Sequence, residues 1–67
     1  MTIDQTRIEI RMGELGLSKK DLGERCGIKP QNISTIIRRG TCTPKTAVRL
    51  AAGLEVPVTT IIRKEGG

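Results

Sequence analysis

The sequence predicts an all-α fold: a compact bundle of five short helices that contains a helix-turn-helix. Three observations lead to it. Apolar residues recur at three- and four-residue intervals along nearly the whole chain. Glycine, proline and hydroxyl residues cut that pattern into pieces of helical length. Between Lys19 and Ile36, the stretch KKDLGERCGIKPQNISTI places its apolar and glycine positions where two short helices joined by a tight turn need them.

The first helix is expected from about Asp4 to Leu15, where Ile8, Met12 and Leu15 share one face and Gly16 supplies the stop. Gly13 lowers helix propensity within it, and Ile3 and Ile10 lie off the stripe, either partly exposed or in a subunit contact. Ser18, with Asp21 three residues on, forms a capping-box pattern that starts the second helix near Lys19. That helix runs to Cys26, with Leu22 and Cys26 inward and Gly27 suited to the left-handed turn after it. Gly23, in its middle, reads as the point where the next helix crosses closely. Pro30 fits the first turn of the third helix, which carries Ile33, Ile36 and Ile37 inward and ends after Arg39 at Gly40. Thr43 and Pro44 open the fourth, whose inward face is assigned to Val48, Ala51 and Ala52 with Leu50 and Leu54 flanking. A fifth piece, Pro57 to Lys64, carries Val58, Ile61 and Ile62, with Arg63 and Lys64 suited to a helix C-terminus and Glu65, Gly66 and Gly67 as a frayed tail. Residues 1–67 thus read as one domain, the helix-turn-helix at about 18–39 and helices four and five within about 44–64.

With 67 residues and no Phe, Tyr or Trp, the core must be built from Ile, Leu, Val, Ala and Met, which suits interlocking helices better than a large pocketed enzyme. Histidine is absent, no nucleophile is paired with a base, and no ligand cluster is apparent, so neither catalysis, a metal nor a cofactor is expected. The formal charge is +5, twelve Lys and Arg against seven Asp and Glu, which favours a polyanionic partner without identifying it. Cys26 and Cys42 are too few and too far apart for a zinc cluster; with no signal peptide or membrane span, the reading is a cytoplasmic protein with reduced thiols, Cys26 serving as a small core hydrophobe.

From Leu17 to Leu54, LSKKDLGERCGIKPQNISTI…RRGTCTPKTAVRLAAGL resembles the phage repressor/Cro-type (XRE-like) helix-turn-helix family, a lambda repressor-like DNA-binding domain. Leu22, Gly23, Cys26, Gly27, Ile28, Ile33 and Ile36 agree jointly, and the run from Gly40 follows as the family has it. The resemblance implies a third helix that enters the major groove of double-stranded DNA and a second that lies across it on the backbone. The chain departs from the family in having Lys19 where Gln is frequent, Lys29 where a capping residue is usual, Pro30 at a position that often reads a base, and one extra residue before Gly40.

Within that frame, at about 100° per residue, Gln31, Thr35, Arg38 and Ser34 cluster on the side of helix three opposite Ile33, Ile36 and Ile37, with Asn32 nearer the edge. Lys29, Gln31, Asn32 and Thr35 are the candidates for reading bases: the amides can meet adenine bidentately, and Thr35 can offer a methyl to thymine. Lys19, Ser34, Arg38, Arg39 and Lys45 are the candidates for phosphates, which set affinity rather than sequence. A domain this small reads only a few base pairs, so a homodimer on a two-fold site is expected, with Val58, Ile61 and Ile62 as its contact and Ile3 or Ile10 adding to it. The function that follows is a sequence-specific transcriptional regulator acting as a repressor by occupancy. The alternative is an antitoxin or other protein-interaction module with a toxin or other protein partner and secondary DNA binding; RNA ranks lower because no aromatic side chain offers a stacking platform.

Overall fold

The computed structural model describes residues 1–63 and forms α1 (Gln5–Leu15), α2 (Lys19–Cys26), α3 (Pro30–Arg39), α4 (Pro44–Gly53) and α5 (Val58–Ile61). Local chemistry explains most boundaries. Asp4 caps α1 by accepting from the Arg7 N–H at 3.1 Å, so the helix begins one residue after it. At α2 the capping box closes both ways: the Asp21 N–H donates to Ser18 Oγ at 3.1 Å and the Ser18 N–H to Asp21 Oδ2 at 3.0 Å. These bonds, the backbone one first, hold the Asp21 carboxyl below the usual carboxylate range. Gly27 and Gly40 end α2 and α3 at φ 71° and 75°, the left-handed region that a side chain at Cβ disfavours.

The core contains Ile8, Leu22, Ile33, Leu50, Leu54 and Ile61, all fully buried, and Ile3, Met12, Cys26, Ile37 and Ala51 complete it. α2 packs on α3 and on α4, and α5 closes against α4 and α1. Close approach at two glycines permits this. A Cβ on Gly23 would overlap the Ile28 carbonyl oxygen, which accounts for the glycine inside α2, and a Cβ on Gly53 would overlap Cys26 Sγ across the α2–α4 contact. Both cysteines are free, and burial pushes both thiols up.

Three expectations need correction. Ile3 is 2% exposed rather than at the surface: it lies before α1, off any helical stripe, and is covered through an antiparallel bridge to Ile62. On α4 the buried stripe is Ala47, Leu50, Ala51 and Leu54, in i, i+3, i+4, i+7 register, so Val48 (56% exposed) and Ala52 face outward. The fifth helix ends at Ile61; Ile62 is extended at ψ 134° because it pairs with Ile3, and Arg63 follows in the same extended run, its N–H donating to the Thr2 carbonyl. Lys64, Glu65, Gly66 and Gly67, to which the expected end of that helix and the tail were assigned, lie outside the described residues. Among the described residues there is no strand, only the isolated bridges Thr2–Thr41 and Ile3–Ile62, and no helix is long and apolar enough to cross a membrane.

Candidate nucleic-acid interface

The orientation of α3 follows from its two buried isoleucines. With Ile33 and Ile37 inward, Gln31 and Asn32 are exposed and Thr35 half-exposed on the outer side. These three, with Lys29 of the preceding turn, line one open concavity of about 640 Å³. Ile36, expected inward, is only half-buried and forms part of this surface, since about 100° per residue sets it next to Asn32 at the seam between the two faces. Lys29 precedes Pro30 without a side-chain capping bond, so its ammonium stays in solvent. The Thr35 hydroxyl donates to the Gln31 carbonyl at 3.0 Å, which ties its side chain to the helix.

The phosphate candidates are spread around this centre. Lys19 and Lys45 are exposed in the first turns of α2 and α4, Ser34 is half-buried on α3, and Arg38 and Arg39 are exposed in its last turn. None of these five lines the concavity, and Arg39 instead lines a separate groove near the N-terminal residues. The Gln5 amide donates to the Ile37 carbonyl, so α1 braces the C-terminal end of α3.

Two residues that the spacing argument passed over complete the concavity: Thr46 and Arg49, from the exposed side of α4. A signal for Arg49 was present in the charge pattern. Residues 26–54 contain Lys29, Arg38, Arg39, Lys45 and Arg49 and no Asp or Glu, while every acid lies outside that interval. The structure turns this into a division of labour. Among the described residues the ion pairs are Arg7–Asp4, Arg11–Glu14 and Arg25–Glu55, and none involves a cation of α3 or α4. Arg11 and Arg25 also donate to the carbonyls of Leu54 and Gly53, so those two guanidiniums secure the end of α4. Lys29 and Arg49, unpaired among the described residues, thus flank the exposed polar side of α3, an arrangement suited to a polyanion whose grooves carry donors and acceptors.

Of the residues assigned to a subunit contact, Ile61 is fully buried in its own core and has no surface to offer a second copy. Val58 and Ile62 are half-buried and pack on that core from outside, and Ile10 is 58% exposed on α1.

A family model described as helix-turn-helix matches residues 8–61. No curated protein and no solved structure matches the chain.

Proposed function

Because the chain belongs to the XRE-like helix-turn-helix family of DNA-binding transcription regulators, we propose that it lays α3 in the major groove of a specific double-stranded sequence and represses transcription by occupying it. The observation that supports this best is the junction of an exposed amide-bearing helix face with cations that form no ion pair among the described residues. In this reading Gln31 and Asn32 meet base edges through their amides, and Lys29 reaches a base at the N-terminal end of α3. Thr35, whose hydroxyl proton is engaged by Gln31, offers its methyl group to thymine. Lys19, Ser34, Arg38, Arg39 and Lys45 hold phosphates, and Arg49 joins them from the wall of the concavity.

One copy covers too few base pairs for useful discrimination, so the working form on DNA is a homodimer on a two-fold site with half-sites about one turn, roughly 34–36 Å, apart. Val58 and Ile62, half-exposed over the buried Ile61, supply the apolar contact. The place of action is the cytoplasm. Selection of bound sequences from a random duplex pool at moderate salt tests the whole reading: a short inverted repeat is expected to enrich, and a pool that stays random through successive rounds refutes it.

A further inference from the structure

The N-terminal residues, the α3–α4 turn and the segment after α5 are tied together at the far end of α3. The Ile3 N–H donates to the Gly40 carbonyl at 2.9 Å, the Cys42 N–H to the Met1 carbonyl at 3.0 Å and the Arg63 N–H to the Thr2 carbonyl at 3.0 Å. This clasp brings Arg39 and Arg63, far apart in sequence, to one groove of about 260 Å³ that Thr2, Thr6 and Gly40 also line. Among the described residues no acid lines it; Asp4, adjacent in sequence to Ile3, is engaged with Arg7 at 3.6 Å. Neither arginine has an ion-pair or hydrogen-bond partner for its side chain among the described residues. Two arginines that line one small polar groove, neither paired among the described residues, make a site for an anion, and their forked donors match phosphate oxygens.

From this we infer that the groove grips a backbone phosphate of the duplex beyond the base pairs that α3 faces; the inference rests on the DNA reading above. Position supports it. A helix of ten residues is about 15 Å long, more than the roughly 12 Å width of the major groove, so when its N-terminal part meets the bases its C-terminal end reaches the sugar-phosphate wall. Arg39 ends that helix, and Arg63, Thr2 and Thr6 lie outside the matched residues 8–61. This part of the footprint is thus supplied by the chain's own flanks.

The test compares the full chain with Arg63→Ala, Arg63→Lys and Arg39→Ala on the selected duplex over a range of salt, with circular dichroism confirming the fold of each variant. Arg63→Ala should weaken preferred and random duplexes alike and reduce the slope of log affinity against log salt by about one unit, with Arg63→Lys restoring part of the loss. Trimming the flanking base pairs should weaken the wild type to the level of Arg63→Ala and leave that variant unaffected. An Arg63→Ala protein with the wild-type slope and flank dependence overturns the inference while leaving the DNA reading intact; a wild type that ignores every duplex removes both. Inorganic phosphate titrated against the Gly40 and Thr41 amides separates the remaining source. Saturation at millimolar phosphate, together with an unchanged duplex slope in Arg63→Ala, also overturns the inference, making this a site for free anions.

Discussion

Gln31 and Thr35 sit one turn apart on α3, and the bond from the Thr35 hydroxyl to the Gln31 backbone carbonyl engages the threonine but not the glutamine side chain. The threonine hydroxyl is committed to a backbone carbonyl, whereas the glutamine amide is free to pair with a base edge in two places. Gln31→Ala should therefore cost about 1–3 kcal/mol on the preferred duplex and much less on random DNA. Parallel titrations on both duplexes check it, and equal losses would take Gln31 out of base reading. Asp21 presents a different residue-scale consequence. Its carboxyl is held below the usual range by the Ser18 bonds, so the cap's contribution is fully present above the unfolded-state value and disappears as pH falls through the folded one. An NMR titration should place the Asp21 midpoint below that of a free aspartate, and Asp21→Asn should flatten the acid limb of the stability curve. The Asp21 cap was legible in the sequence by its distance from Ser18, and the exposure of Gln31 by its angle from the isoleucines. Arg49 showed in the sequence only as one cation of an interval without acids; its place beside α3 comes from the fold.

Helix boundaries were readable where a terminus has chemistry of its own: Ser18 with Asp21, Gly27, Pro30, Gly40, and Thr43 with Pro44. The face of α4 was not. Ala47 and Val48 are neighbours of similar character, and only the approach of α4 to α2 at Gly53 selects the stripe that contains Ala47. Periodicity also ran past the end of α5, because what stops that helix is the pairing of Ile62 with Ile3, far away in the chain. The α2–α4 crossing gives a test at this scale. Gly53→Ala inserts a methyl against Cys26 Sγ and should destabilise the fold by about 1–3 kcal/mol in chemical denaturation. In a Cys26→Ala background the same change should cost less, since the obstructing sulfur is gone. Strict additivity of the two would assign the cost elsewhere.

For the whole molecule, the separation of charge matters more than its net value. Acids and their partner arginines secure α1 and the α4 terminus, while Lys29, Arg38, Arg39, Lys45 and Arg49 are exposed and form no ion pair among the described residues. Sedimentation of the chain with a selected inverted repeat should give two copies per duplex, and one copy per duplex at saturation would rule out the homodimer. The clasp at the far end of α3 bears on how the chain folds. The α2–α3 pair forms from neighbours in sequence, but the Thr2–Thr41 and Ile3–Ile62 pairings close long loops and gain nothing until the rest is assembled. That edge is expected to lock last and open first. In native-state hydrogen exchange the amides of Ile3 and Arg63 should trade with solvent through partial opening, well before those of Leu22 and Ile33. On the proposed reading, α3 is seated before the Arg39–Arg63 groove closes, so partial opening of this edge is expected to lower affinity for all sequences before it lowers discrimination among them.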